Sequence, residues 1–248
     1  MAGSISDIRS LLRVKVVAKA GHERRVFITG ATGYIGSYLI PLLIERGHRV
    51  RALVRPGSRG KLAPGCEVVT GDALDAGTYR NLVRPADTFV HLVGVPNPSP
   101  DKGAEFRAVD LVAGREAIQA AAELGLQHFV YLSVAHPAPV MKDYIAVRAE
   151  CERMIRERGL NATILRPWYV LGPGHKWPSA LLPLYKLAEL LPFTRAGALR
   201  LGLVTLEQMV TALAQAVENP AQGVQIAEVP EIRAAQLHLS SEPVRKTA

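Results

Sequence analysis

Apolar positions along this chain follow two periods in turn. Val26-Phe27-Ile28 is a short unbroken apolar run, the pattern of a strand buried on both faces. A glycine-rich turn follows it. The run Ile35 to Ile44 has helical length and ends at Gly47, and Val50 to Val54 reads as a second strand. Strand-like runs recur at Glu67-Val68-Val69, Thr88 to Val93, Phe129 to Leu132 and Thr163-Ile164-Leu165. Helical patterns lie between most of them. Ala104 to Leu124 is the longest and is closed by Gly125. Asp143 is expected to cap another, which runs to Arg158 and is closed by Gly159. Thr205 and Gln208 form a capping box for a helix to Glu218. Pro41 falls inside the first helix, where it predicts a kink or a cost of up to ~3 kcal/mol.

Strands alternating with helices predict an α/β fold: a doubly wound parallel sheet with helices on both faces. This domain is placed at residues 25–232, with a small C-terminal, substrate-side lobe at about 172–204. Residues 1–24 form a basic extension in which strand and helix periods conflict, so they stay unassigned. Residues 233–248 are polar and are expected to fray.

Composition narrows the function classes. Hydrophobic residues make up 48% of the 248-residue chain, which suits one globular domain with a substantial core. The two cysteines, Cys66 and Cys151, form no C-x-x-C pair, so neither a disulfide framework nor a metal site is expected. The start lacks a signal-peptide pattern, and a cytoplasmic setting is expected. The longest apolar segment, Leu181 to Leu191, contains Lys186 and Glu189 and is too short to cross a bilayer. A net charge of +8 favours anionic ligands; no nucleic-acid motif accompanies it.

The turn after the first strand reads Thr29, Gly30, Ala31, Thr32, Gly33, Tyr34, Ile35, Gly36. Glycine there lets a pyrophosphate approach the backbone and lets the helix pack close to the sheet, while the helix N-terminus offers free N–H groups. A strand before the motif and a helix after it make a dinucleotide the expected ligand, on a Rossmann-type domain. The spacing G-x-x-G-x-x-G after threonine resembles the extended and atypical branches of the short-chain dehydrogenase/reductase superfamily, which include epimerase/dehydratase-like and NmrA-like members. The resemblance runs from about Arg25 to Val229. It implies that Gly30, Thr32, Gly33, Tyr34, Ile35 and Gly36 hold the pyrophosphate. Gly71 to Asp75 matches the turn after the third strand, where Asp72 and Ala73 would meet the adenine. Phe89 to Gly94 matches the fourth strand, ending on Val93 and Gly94. Leu165 to Gly174 matches the segment whose Arg166 and Pro167 pass the nicotinamide end.

An acidic residue ~20 positions after the glycine motif marks NAD binding, through the ribose 2′-hydroxyl. Here that place holds Arg55, with Arg59 and Lys61 following. Arginine suits a 2′-phosphate, so NADP is expected ahead of NAD. The superfamily commonly pairs a serine with Y-x-x-x-K. Ser133 matches the serine and Tyr144 the tyrosine, but Arg148 stands where lysine is usual. Arginine keeps the charge in a bulkier, planar group. His91 and Cys151 read as core residues.

Two functions follow. The first is an NADP-dependent oxidoreductase, or a related epimerase/dehydratase-type enzyme, on a small substrate, with Leu181 to Leu191 available to line an apolar pocket. The second is a non-catalytic NADP-binding redox sensor, or an accessory subunit of a respiratory complex. Peripheral membrane contact is a third reading, on the basic charge and the leucine-rich stretch.

Overall fold

The computed structural model describes residues 22–58, 62–173, 197 and 200–235. Among the described residues nine strands run in chain order: β1 Arg25–Thr29, β2 Arg49–Val54, β3 Glu67–Thr70, β4 Thr88–His91, β5 His128–Leu132, β6 Ala162–Leu165, β7 Tyr169–Leu171, β8 Leu203–Thr205 and β9 Val224–Ala227. Seven of them form one sheet in the order β3-β2-β1-β4-β5-β6-β9, and every pairing in it is parallel. The order reverses at β1, which is where doubly wound sheets open a ligand crevice at the strands' C-terminal ends. β7 and β8 pair separately, in parallel. They flank the expected small lobe, most of which, with Arg59, Lys61 and Leu181 to Leu191, lies outside the described residues.

The central strands read as continuous apolar runs because both faces are covered. Val26, Ile28, Val90 and Val130 pack under helices α1 (Tyr34–Glu45) and α6 (Leu206–Glu218). Phe27, Phe89, Phe129 and Tyr131 pack under the opposite layer. That layer holds the short α2 (Arg80–Val83), α3 (Gly103–Glu105), α4 (Val112–Glu123) and α5 (Lys142–Glu157). A final helix, α7, spans Val229–Ala234.

Three expectations are refined. α1 runs through Pro41 as one element, held by the burial of Leu39, Ile40, Leu42 and Leu43 on both sides of the proline. The long helix is not uniform: a π-helical turn, Phe106–Leu111, joins α3 to α4. Asp143 does not cap α5. Met141 precedes that helix in the left-handed region at φ 60°, and Asp143 sits inside the first turn, where a carboxylate suits the helix dipole. Its partner there is Arg107, at 3.2 Å. The capping box of Thr205 and Gln208 forms as the sequence predicts. Arg233 Nε donates to the Leu203 carbonyl at 2.9 Å, and the rest of the expected tail, residues 236–248, lies outside the described residues. Among the described residues no helix is long and apolar enough to cross a membrane.

Candidate functional site

Because the sheet is parallel, the residues that follow β1 to β6 all emerge at one edge. The glycine turn follows β1, Arg55 follows β2, and Asp72 with Ala73 follows β3. Val93 and Gly94 come after β4, Ser133 after β5, and Arg166 with Pro167 after β6. Tyr144 and Arg148 reach the same edge from α5.

The glycine turn has the shape a pyrophosphate needs. Gly30 takes φ +76°, and a Cβ on it would lie 2.6 Å from the Leu92 carbonyl carbon. A Cβ on Gly36 would meet the Gly30 and Ala31 carbonyl oxygens at 2.5 and 2.7 Å, so only glycine lets α1 pack this close. Gly33 is the N-cap of α1, and no side chain caps the helix. Its N–H turns back to the Gly30 carbonyl at 3.0 Å, leaving the first helical N–H groups to a ligand. A Cβ on Gly33 would meet the Gly30 carbonyl oxygen at 3.1 Å, a tight contact but less severe than those at Gly30 and Gly36. The residues present fit a dinucleotide.

Arg55 is exposed beyond β2 and makes no side-chain ion pair or hydrogen bond among the described residues. Asp72 is exposed and accepts the Leu74 N–H at 3.0 Å, which shapes the turn around Ala73.

Two buried polar networks underlie the crevice. The first centres on Arg148. Its guanidinium donates to Asp110 Oδ1 at 2.6 Å, the Leu132 carbonyl at 3.0 Å, the Val93 carbonyl at 3.3 Å and Tyr131 Oη at 3.4 Å. It also lies 5.0 Å from the Tyr144 ring centre. Burial opposes its charge, but the tyrosines and Asp110 more than offset that, and its pKa is held well above the ordinary value. Burial pushes the Asp110 carboxyl up, against the pull of Arg148. Both Asp110 oxygens accept, from Arg148 and from the Val95 N–H at 3.0 Å, which is the geometry of an ionised carboxylate. Beside this pair His91 bonds Thr29 Oγ1 at 2.8 Å through Nδ1 and stacks on Tyr131. Burial, then the charge of Arg148, lowers the His91 pKa to about 3, so the ring is neutral. Tyr144 packs against Phe106 at 4.9 Å and is half-buried.

The second network centres on Glu152. It accepts from Ser133 Oγ at 2.7 Å, from Arg166 Nε at 2.9 Å and Nη2, and from Arg156 at 3.3 Å. Arg166 continues to Glu228 at 2.8 Å. Burial alone would raise the Glu152 pKa; the bonds from Arg166 and Ser133 lower it overall.

The structure thus brings Tyr144 and Arg148 together and places Ser133 and Arg166 together on Glu152. Asp110 and Glu152 carry no assignment from the sequence. Glu152 follows Arg148 by one helical turn, so the face of α5 that bears Arg148 also bears it, and that spacing was the available signal. Among the described residues no group of side chains could hold a metal ion. A cleft of about 480 Å³ lined by Arg25, His48, Arg49, Arg51 and Glu67 opens at the opposite edge of the sheet. Arg49 and Arg51 are already paired there, with Glu23 and Glu67, and the cleft is remote from the glycine turn.

Comparison with known proteins agrees with this geometry. Residues 30–175 match the NAD(P)H-binding family. The ceramide reductase of Caulobacter vibrioides is 29% identical over 213 residues, covering 84% of this chain. The chain spans 65% of that protein's length. The 3-diazoavenalumate denitrifying reductase of a Streptomyces species is 30% identical over 80% of this chain and 74% of its own length. Among solved structures, the Bordetella bronchiseptica enzyme WbmH in complex with NAD+ superimposes with a TM-score of 0.63. That match is 24% identical and covers 86% of this chain and 80% of WbmH, a likeness of fold. The chain belongs to the NAD(P)H-binding family.

Proposed function

We propose that this protein is an NADPH-dependent reductase of a small carbonyl-type substrate. The observation that carries the reading is the placement of Tyr144, with the Arg148 cation 5.0 Å from its ring, at the strand edge that bears the glycine cradle. The reductase names of the two relatives support the direction of the reaction. Arg55 beyond β2, without an ion pair among the described residues, supports NADP over NAD.

When bound, the cofactor supplies a hydride to the substrate carbon. The protein's part is to deliver a proton to the substrate oxygen, and Tyr144 is the hydroxyl assigned to it. Arg148 is buried beneath the site, with its guanidinium 5.0 Å from the Tyr144 ring centre. While Ser133 donates to Glu152, its oxygen faces other groups only as an acceptor. Ser133 is thus not the proton donor in this reading, which assigns that role to Tyr144.

That same engagement favours a second reading, a dinucleotide sensor or accessory subunit without turnover, since Ser133 and Arg148 are both engaged by carboxylates inside the fold. Single-turnover oxidation of NADPH with aldehydes, ketones and quinones, beside a binding titration, separates the two. The reductase reading expects turnover that Tyr144→Phe removes while NADPH affinity stays within about twofold, because the phenol's proton and not its ring is lost. Tight NADPH binding with no turnover on any substrate selects the sensor.

A further inference from the structure

We propose that the buried Asp110–Arg148 ion pair is a positioning device that clamps the Val93-Gly94-Val95 turn from beneath and so sets the site for the nicotinamide half of the cofactor. The proposal rests on the reading above, that the dinucleotide lies along the C-terminal edge of the sheet.

The pair grips the turn on both sides of Gly94. Arg148 Nη2 donates to the Val93 carbonyl at 3.3 Å, and Asp110 Oδ2 accepts the Val95 N–H at 3.0 Å. The two side chains are joined at 2.6 Å. Gly94, between the gripped peptides, is exposed at the edge, although a Cβ on it would stand 2.5 Å from Arg148 Nη2 and 3.1 Å from Asp110 Oδ1. Glycine is needed here because the ion pair rises directly under the backbone. The turn therefore offers bare backbone to a ligand, in an orientation fixed by charge.

The elements behind the pair are unusual in ways that fit this role. Asp110 sits in the π-helical turn, and such turns recur where a helix must aim one side chain at a site. A buried ion pair is a poor source of stability compared with apolar residues of similar size, whereas its directional bonds hold particular groups in place. Asp110 and Arg148 together fix backbone atoms at the ends of β4 and β5, and Tyr144 rests beside the cation.

Sheet order assigns the clamp to one half of the cofactor. Arg55 and Asp72 follow β2 and β3, on one side of β1. The clamped turn follows β4, on the other side, next to β5 and towards Tyr144. Gly30 abuts Leu92 and Val93, so the pyrophosphate cradle and the clamped turn are continuous.

The test is a binding titration of the full chain with two probes, NADPH and adenosine 2′,5′-bisphosphate, which carries only the adenosine half. Two variants open the clamp differently: Asp110→Asn removes the charge, and Gly94→Ala pushes a methyl group into the guanidinium. Each is expected to weaken NADPH about tenfold, the size of a lost charged hydrogen bond, while the bisphosphate stays within about twofold. A structural ion pair with no positioning role would move both probes alike or neither, and either result in a folded variant overturns the clamp. Gly33→Asp is titrated in parallel. NADPH binding that survives Gly33→Asp overturns the crevice reading itself, and the clamp with it.

Discussion

Ser133 donates its hydroxyl proton to Glu152 at 2.7 Å, beneath the ends of β5 and β6. The carboxylate that receives it is 1% exposed and also holds Arg166 through two nitrogens. Ser133 is thus anchored by a charge from the next helix.

Replacing that charge tests the anchor. Glu152→Gln keeps the shape and leaves the Arg166 cation with Glu228 as its main partner. The expected loss is about 2 kcal/mol of stability at pH 7, because the buried Arg166 cation loses one of its two carboxylate partners. The folded pKa of Glu152 is depressed, so its contribution is present above the ordinary glutamate range and fades as pH falls through the lower folded value. Urea midpoints of parent and variant should therefore converge in acid. A gap that stays constant down to pH 3 would contradict the ion-pair account.

Two of the buried histidines, His91 and His128, predict a separate loss at milder pH. His91 is held near a pKa of about 3 and His128 near about 4, in both cases mainly by burial. His128 bonds Thr163 Oγ1 at 3.0 Å. Each ring is neutral in the fold, while the unfolded chain protonates near pH 6.5. Stability is then complete above pH 6.5 and declines as pH falls towards the folded values. At pH 5 the cost is about 2 kcal/mol for each histidine. His128→Gln should remove its share of the drop between pH 7 and pH 5, read from urea midpoints. An equal drop in the variant would show that His128 titrates normally.

What the sequence reveals follows from the physics of each feature. Val26 to Ile28 and Phe129 to Leu132 are legible because parallel strands covered on both faces carry unbroken apolar runs. The glycine turn is legible because Gly30 and Gly36 have no substitute where they sit. Asp110 is not legible. A charge between Val109 and Leu111 looks like the solvated face of an ordinary helix, and only the π-helical turn carries it inward. Asp143 misled for a related reason: its type suits a cap, but the chain enters α5 through a left-handed Met141, a conformation its sequence does not announce. Arg148 was legible as a departure from Y-x-x-x-K, whereas its engagement by Asp110 depends on a contact 38 residues away.

Different behaviour is expected at two glycines of the turn. In Gly36→Ala the new methyl group meets backbone carbonyls that cannot move aside. That should cost about 1–3 kcal/mol and weaken cofactor binding. Gly33→Asp meets a milder contact, 3.1 Å from the Gly30 carbonyl oxygen. Aspartate is a good N-cap, which offsets that contact, so the folded protein should stay within about 1 kcal/mol of the parent. The same carboxylate takes the helix N–H groups and repels the phosphates, so NADPH binding should vanish. Thermal melts and titrations of both variants check the pair; a Gly33→Asp protein that is destabilised yet binds NADPH would reverse the assignment.

The last prediction concerns Arg55, on which the choice of dinucleotide turns. It stands beyond β2, exposed, at the first position of a turn closed by the Ser58 N–H to its own carbonyl at 3.1 Å and carried by Gly57 at φ +81°. That turn fixes the backbone while leaving the side chain without an ion pair among the described residues. A 2′-phosphate there would gain charged hydrogen bonds that a 2′-hydroxyl could not. NADPH should then bind more tightly than NADH by about 1.5–3 kcal/mol. The preference should shrink as salt rises, because the site is open to solvent. Arg55→Asp should reverse the order, since a carboxylate repels the phosphate and accepts from the free hydroxyl. Arg55→Ala should bring the two affinities together without favouring NADH. Calorimetry at low and moderate salt on the three proteins decides it. Equal affinities in the parent, or a preference that survives in Arg55→Asp, would assign the discrimination to other residues.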